Sequence, residues 1–270
     1  MMRIVVKVGG SLMKAGVPSA LIEDVKSLAP SNQIIVVHGG GDVVTEYANR
    51  LGKEQRFVVS PDGIRSRYTD METAEIYQMV MSGLLAKRLV SALVRAGLRS
   101  VSLSGGDARL LQGKRKTKLV IMDDRGRKVA IEGGYTGKVV GINVPLLETL
   151  LSDGYLPVIS PVASGEEAEP LNVDGDRAAS SVASGVRADR VVYLTNVDGL
   201  ILDGRLVPHM TSSDAASKLP KIGFGMQKKV MGAVEAVEAG VGEAIICSGT
   251  RTGPLTGALS HDTCTVISNR

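Results

Sequence analysis

The sequence Arg3-Ile-Val-Val-Lys-Val-Gly-Gly-Ser11 joins an apolar run to two glycines, and Ile34-Ile-Val-Val-His-Gly-Gly-Gly-Asp42 joins a second run to three. Continuous apolar runs of this length are typical of parallel strands buried on both faces. Glycine lets backbone N–H groups approach an anion closely. Two such turns lying near each other can hold the two ends of a phosphoryl transfer, with Lys7 over the transferred group.

Strand-like and helix-like segments alternate along most of the chain after these two runs. Further strands are predicted at 100–103, 156–160, 190–195, 243–247 and 263–267, and helices at 18–29, 42–51, 69–96, 144–152, 176–186 and 226–239. This alternation predicts an α/β protein, a three-layer αβα sandwich with a mainly parallel sheet and ligands at the carboxyl ends of its strands. The long helical stretch is expected to bend at Gly83.

Residues 117–139 interrupt the alternating pattern. Two β-rich segments, 118–122 and 127–131, flank Asp123-Asp-Arg-Gly126, which predicts a β-hairpin that leaves the main sheet. We expect one continuous domain with two lobes. Residues 1–170 would form an acceptor-substrate lobe with a dimer surface, and residues 171–270 a nucleotide-binding lobe.

Composition narrows the classes of function. The chain has 270 residues, of which 44% are hydrophobic and 22% charged, as in ordinary globular enzymes. It has no apolar run long enough to span a membrane and no N-terminal signal pattern, so a cytoplasmic location without membrane contact is expected. Only 3% of residues are aromatic, which argues against nucleic-acid binding by base stacking.

The net charge of +4 is concentrated locally, because Lys114, Arg115, Lys116 and Lys118 lie close together. Such a cluster is either a solvated hairpin or an electrostatic landing surface for an acidic partner. Two isolated cysteines, Cys247 and Cys264, and three histidines are too few for a disulfide framework or a zinc site. We therefore expect reduced core cysteines and no protein-bound metal.

The common nucleotide fingerprints are absent. Residues 133–139 resemble a P-loop, but Glu132 stands where the first glycine is needed and Val139 where Mg²⁺ needs a hydroxyl. No Gly-x-Gly-x-x-Gly opens a helix. What remains is a series of polar or glycine residues after successive predicted strands: Lys7, Asn172, Asp176, Thr195, Asp198, Gly199 and Lys229. Singly, Asp176 could be a helix N-cap and Lys229 a solvated helix residue.

Taken together, these motifs resemble the amino acid kinase family over essentially the whole chain. They are Lys-x-Gly-Gly-Ser at Lys7, His-Gly-Gly-Gly at His38, Asn-x-Asp-Gly-Asp at Asn172, Leu-Thr-Asn-Val-Asp-Gly at Leu194 and Gly-x-Gly-Met-x-x-Lys at Gly223. The resemblance implies transfer of the ATP γ-phosphoryl group to a carboxylate, which gives an acyl phosphate. A carboxylate is already ionised at pH 7, so the reaction needs charge neutralisation and alignment rather than a general base.

The resemblance also implies a role for each candidate residue. Lys7 and Lys229 would bridge the phosphoryl oxygens, and Asp176 would hold their two ammonium groups. Gly10, beside Gly9, and Gly40 would offer N–H groups to the phosphoryl group. The substrate would meet Gly39, Gly41, Asn172 and Arg65, which clamps its α-carboxylate. Thr195, Asp198 and Gly199 would lie along the nucleotide, with Mg²⁺ held mainly by the phosphates.

Within the family, the chain most resembles the N-acetylglutamate kinases. Two of its segments differ from the pattern of that branch. The loop Gly63-Ile-Arg-Ser-Arg-Tyr-Thr69 carries a second arginine, and residues 133–139 lack an acidic residue near Lys138. In both segments the chain resembles kinases that act on glutamate or α-aminoadipate attached through its amino group to an acidic carrier protein, LysW. The basic hairpin at 114–128 would then receive that carrier, and a homodimer is expected by resemblance.

Three alternatives stay open at this point. The first is a kinase for free N-acetylglutamate. The second comprises isopentenyl phosphate and nucleoside monophosphate kinases, which share the fold but rely on a histidine and serine around the glycine cluster, where Asp42 follows Gly41 here. The third is a nucleotide-binding sensor or storage protein without turnover, against which the joint presence of Lys7, Lys229 and Asp176 argues.

Overall fold

The computed structural model describes residues 1–14 and 16–269, without the side chain of Phe224. The helices are α1 Gly10–Lys14, α2 Ser19–Leu28, α3 Gly41–Arg50, α4 Met71–Gln78, α5 Ala86–Arg95, α6 Val144–Ser152, α7 Gly175–Gly185, α8 Ser212–Lys218, α9 Phe224–Glu238 and α10 Pro254–Leu259. The strands are β1 Arg3–Val8, β2 Gln33–His38, β3 Phe57–Val59, β4 Arg65–Arg67, β5 Ser100–Leu103, β6 Leu111–Arg115, β7 Lys118–Met122, β8 Lys128–Glu132, β9 Gly137–Ile142, β10 Leu156–Ile159, β11 Val162–Ser164, β12 Pro170–Asn172, β13 Arg190–Thr195, β14 Ile201–Leu202, β15 Arg205–Leu206, β16 His209–Thr211, β17 Glu243–Ser248 and β18 Cys264–Ser268.

The described residues form a main sheet of eight strands in the order β16-β18-β17-β13-β1-β2-β10-β5. Neighbouring strands are parallel except β17 and β18, which are antiparallel. The strands that precede the two glycine turns, β1 and β2, are neighbours within this sheet. Lys7 is paired with Val37 on one side and with Tyr193 on the other. Their glycine turns therefore leave the sheet at the same edge.

Helices cover both faces of this sheet. On one face, alternate strand residues such as Val5 and Tyr193 pack with α6, α7, α8 and α9. On the other face, Val6 and Leu194 pack with α1, α2, α5 and α10. The strands are apolar on both sides because both sides are covered. The α/β fold class and the three-layer sandwich predicted from the sequence are thus confirmed.

Smaller β elements rise from the carboxyl edge of the main sheet. A four-stranded sheet has the order β12-β11-β6-β9. Along the chain, the separate β7–β8 hairpin lies between β6 and β9. This hairpin confirms the predicted excursion, with its second strand shifted by one residue. Another hairpin, β3–β4, was not predicted, because its strands of three residues are too short to show a period in the sequence.

The predicted helix at 69–96 is interrupted around Gly83 by a π-helical segment, Met79–Leu85, between α4 and α5. Such segments are rare and often occur at functional sites. Cys247 and Cys264 are free and buried, on β17 and β18, as expected of core residues. In the part of the chain that the structure describes, no helix is long and apolar enough to cross a bilayer.

The proposed division into lobes at residue 170 stays a prediction. Strands from both segments contribute to the main sheet, because β1, β2, β5 and β10 precede this boundary and β13, β16, β17 and β18 follow it. The junction between the two groups is β1 against β13. The carboxyl ends of these two strands, at Val8 and Thr195, therefore mark the place where the two segments meet.

Candidate active site

The side chains of Lys7, Asp176 and Lys229 converge at the carboxyl edge of the main sheet. The Nζ atom of Lys7 lies 2.6 Å from Oδ1 of Asp176, and the Nζ atom of Lys229 lies 3.4 Å from Oδ2. Lys7 comes from β1, Asp176 from the first turn of α7, and Lys229 from the first half of α9. Two ammonium groups thus share one carboxylate, which leaves an uncompensated positive charge for an anion.

Burial and charge act against each other in this cluster. Burial works to raise the pKa of the Asp176 carboxyl, but Lys7 and Lys229 outweigh it and hold that pKa below its ordinary value. Burial lowers the pKa of the Lys229 ammonium, while Asp176 opposes the shift and Lys7 adds to it. An arriving anion would favour the charged form of Lys229 and would meet the net positive charge of the cluster.

Close packing of α7 against α9 explains why Asp176 and Lys229 meet. A Cβ atom on Gly232 would lie 3.1 Å from Oγ of Ser180 and 3.2 Å from the backbone oxygen of Asp176, so a side chain there would push the two helices apart by a few tenths of an ångström. Ser180 Oγ lies 2.7 Å from the Gly232 oxygen and 2.8 Å from the Tyr193 hydroxyl. Lys229 is one turn before Gly232, and it is therefore brought to Asp176 by a contact between helix backbones.

The two glycine turns touch each other directly. A Cβ atom on Gly10 would lie 2.8 Å from the backbone nitrogen of Gly40, and one on Gly39 would lie 2.9 Å from that of Gly10. Side chains at these positions would force the turns apart. Gly40 also faces the π-helical segment, since an added Cβ would meet Leu85 Cδ1 at 2.1 Å. The sequence prediction that these two turns lie near each other is correct.

His38 lies beneath the second glycine turn and is fully buried. Its Nδ1 is 3.1 Å from the Gly39 oxygen and its Nε2 is 3.2 Å from Oγ of Ser160. Burial lowers the pKa of His38 to about 4, with a smaller effect of the nearby Lys7. The imidazole is thus neutral at pH 7, and its contacts hold the turn rather than add charge.

A cavity of about 740 Å³ opens between the first glycine turn and the start of α9. Its lining includes five of the predicted site residues besides Lys229: Gly9, Gly10, Gly41, Thr195 and Gly199. Backbone N–H groups and lysines fit the phosphates of a nucleotide. Among the described residues no cluster of three or more acidic, histidine or cysteine side chains could hold a metal.

The β3–β4 hairpin forms a second wall beside the two turns. Arg67 is buried and donates from Nη2 to the Gly41 oxygen at 2.8 Å and to Oγ1 of Thr45 at 2.9 Å, which anchors the hairpin to α3. Arg65 is exposed, and its guanidinium lies 3.8 Å from the centre of the Phe57 ring. The two arginines of this loop therefore differ: Arg67 supports the wall, whereas Arg65 is available to a ligand.

Comparison with known proteins places this arrangement in a family. A model described as "Amino acid kinase family" matches residues 2–248. The chain belongs to this family. The match covers both glycine turns, Asp176 and Lys229, so the resemblance found in the sequence is confirmed, and with it the assignment as a phosphotransferase.

Two relatives illustrate the closeness of the match within the amino acid kinase family. A protein of Nitrosopumilus maritimus (strain SCM1) is 50% identical over 98% of this chain and 98% of its own length. The LysW-aminoadipate/LysW-glutamate kinase of Metallosphaera sedula is 44% identical over 95% of this chain and 97% of its own.

Among solved structures, N-acetylglutamate synthase from Neisseria gonorrhoeae covers all of this chain with a TM-score of 0.81. This chain spans 60% of that protein at 23% identity, which shows the fold alone.

Asn172 and Asp198 lie outside the cluster and the cavity lining, whereas Gly199 is part of the lining. Asn172 donates from Nδ2 to Oγ1 of Thr69 at 3.0 Å, two residues after the end of β4. Asp198 is exposed, three residues beyond the end of the buried strand β13. Gly199 is required by packing, since a Cβ atom there would lie 2.6 Å from Oγ1 of Thr265. The roles suggested for Asn172, Arg65, Thr195, Asp198 and Gly199 stay predictions.

Three residues of the site escaped the sequence analysis. Asp174 caps α7 by accepting from the N–H groups of Asp176 at 3.0 Å and Arg177 at 3.1 Å. Gly232 permits the approach of the two helices, and a glycine inside a helix was the available signal. Lys228 lay in a quoted motif, but no sequence signal distinguished it from a solvated neighbour of Lys229.

Proposed function

We propose that this protein transfers the γ-phosphoryl group of ATP to the side-chain carboxylate of glutamate or α-aminoadipate carried by LysW. The product would be an acyl phosphate on the way to arginine or lysine. The observation that carries the proposal is the array in which Lys7 and Lys229 share Asp176 beside two touching glycine turns. The name of the Metallosphaera sedula relative supports the choice of acceptor.

The residues of the site suit the reaction without a general base. ATP phosphates would enter the cavity at Gly9 and Gly10, and the acceptor would lie against the second turn and the β3–β4 hairpin. Lys7 and Lys229 would stabilise the charge that develops on the transferred group, while Asp176 keeps both ammonium groups fixed. Arg65 and Asn172 would orient the acceptor, and Mg²⁺ on the phosphates would neutralise further charge.

A surplus of positive charge surrounds the acceptor side of the site. Lys228 lies 3.5 Å from Oδ2 of Asp174, and burial together with the positive charge of Arg177 lowers the pKa of Lys116, against the opposing effect of Asp174. Arg177 is already paired with Glu235. The β3–β4 hairpin is called the acceptor wall below, because the acceptor would lie against it. The basic β7–β8 hairpin also packs beside β3. These charges favour an acidic carrier over a small free acceptor, because a macromolecular partner can contact all of them.

We expect kcat/KM for the carrier-bound acceptor to fall about tenfold when ionic strength rises from about 0.1 M to about 1 M, since the screening length falls from about 10 Å to about 3 Å. The measurement is hydroxamate formation from the acyl phosphate, with LysW-glutamate, LysW-α-aminoadipate and free N-acetylglutamate compared. Lys116→Gln should reduce the salt effect, whereas the matched variant Lys26→Gln on α2 should leave it unchanged. Equal use of free N-acetylglutamate, or no salt effect, would overturn the carrier proposal.

The proposal includes a homodimer formed by the first lobe and a cytoplasmic location. Met79 and Val94 are strongly exposed on the helical stretch from α4 to α5, and β5 is an edge strand of the main sheet. Exposed apolar side chains near a sheet edge favour burial against a second copy. Analytical ultracentrifugation should therefore show a dimer that Met79→Glu weakens and Val120→Glu, on the β7–β8 hairpin, does not. A monomer in the parent protein would exclude this interface.

A further inference from the structure

Lys228 makes two polar contacts outside the cluster of Lys7, Asp176 and Lys229. Its Nζ atom donates to the backbone oxygen of Arg65 at 3.2 Å and lies 3.5 Å from Oδ2 of Asp174. Consecutive residues of an α-helix point about 100° apart. Lys228 therefore reaches the acceptor wall from the same helical turn from which Lys229 reaches Asp176.

The partners of Lys228 belong to separate parts of the site. Arg65 lies on β4 of the hairpin that borders the acceptor. Asp174 caps α7 and thereby fixes the first turn, which carries Asp176. Lys228 itself is part of α9, which carries Lys229. One ammonium group thus connects the β3–β4 hairpin, the N-cap of α7 and the helix that carries Lys229.

The β3–β4 hairpin needs such a connection. It has three residues in each strand, and a two-stranded ribbon of this size is marginally stable alone. Arg67 anchors it to α3, on the side of the second glycine turn. The contact from Lys228 holds the hairpin to α9 on its other side. A partly exposed ion pair adds little to global stability, so the consequence of this contact is geometric.

We propose that Lys228 is a positioning residue that latches the β3–β4 hairpin to α9 and so sets the acceptor at the correct distance from Lys229. The inference rests on the proposed function, since it assigns this hairpin to the acceptor. The latch acts through the Arg65 carbonyl and Asp174, and Lys228 does not touch the transferred group. Lys228 also lies in the lining of the cavity proposed for ATP, but its two polar contacts are with the β3–β4 hairpin and the cap of α7, so loss of the latch should act mainly on the acceptor wall.

The test compares Lys228→Met and Lys228→Arg with the matched control Lys26→Met, in the full-length protein. For Lys228→Met we expect kcat for the carrier-bound acceptor to fall about 10- to 100-fold, because a small misplacement of reactants has an effect of this size. KM for ATP should change by less than about threefold, and Lys228→Arg should retain most of kcat because it keeps a charged donor. Equal kcat values in Lys228→Met and the control would overturn the proposal.

Hydrogen exchange of residues 57–67 provides a readout that does not require turnover. Without the Lys228 contact, exchange in this hairpin should become about fivefold faster, the effect of one lost hydrogen bond, with exchange in β1 unchanged. Unchanged exchange in the hairpin would also overturn the latch. If the parent protein fails to phosphorylate the carrier-bound acceptor, the proposed acceptor is wrong, and exchange still decides whether Lys228 holds the hairpin.

Discussion

Lys229→Met should lower kcat by about 100- to 1000-fold, the effect of removing one preorganised donor from a developing negative charge. Methionine keeps most of the length of the side chain but loses the ammonium group that faces Asp176 at 3.4 Å. The fold should be retained, because the Lys229 side chain lies at the edge of the cavity and the contact between α7 and α9 depends on Gly232. The measurement is steady-state hydroxamate formation, with Tm recorded in parallel.

Two comparisons make the result for Lys229 specific. Lys26→Met removes one positive charge from the exposed face of α2 and should keep the parent kcat. Lys228→Met should show the smaller loss expected of a positioning residue. If Lys229→Met loses less than about tenfold in kcat, this ammonium does not act on the transferred group and the site must be reassigned.

The sequence was sufficient to predict the main sheet and its covering helices. Strands buried on both faces are continuous apolar runs, as in β1, β2 and β13, and helices show one apolar stripe, so both are visible without long-range information. Lys7, Lys229 and Asp176 could be chosen as candidate site residues because the family motifs place them at strand and helix ends, and the structure brings their side chains together. The parallel order of the strands places Lys7 and the start of α7 at one edge of the sheet, while Lys229 reaches Asp176 through the packing of α9 on α7.

The parts that could not be predicted depend on contacts between distant segments. The β3–β4 hairpin has strands of three residues, and Arg67 holds it to the backbone of Gly41. The bond from Lys228 to the Arg65 carbonyl links residues 163 positions apart, and nothing local in either segment indicates it. Similarly, the tight packing around Gly232 becomes visible only once α7 and α9 are seen to approach each other.

The largest combined effect on activity and stability is expected for Asp176→Asn. The amide cannot neutralise two ammonium groups, and Lys7 is then left buried and unpaired, with only 7% of its side chain exposed. Removing one partner of a buried ion pair costs about 3–5 kcal/mol in the free energy of unfolding. We also expect kcat to fall by at least about 100-fold, since both lysines lose the group that holds them in place. Urea unfolding and hydroxamate formation measure the two effects.

The pH dependence separates the charge of Asp176 from its packing. The pKa of this carboxyl is lowered in the folded protein, whereas it is about 3.9 in an unfolded chain. The folded state is therefore stabilised above pH of about 4, and this contribution is lost as pH falls through the folded pKa. The difference in unfolding free energy between the parent and Asp176→Asn should shrink over that range. A difference that is constant with pH, or equal to that of Asp203→Asn in the exposed β14–β15 turn, would show that the Asp176 charge does not hold Lys7 and Lys229.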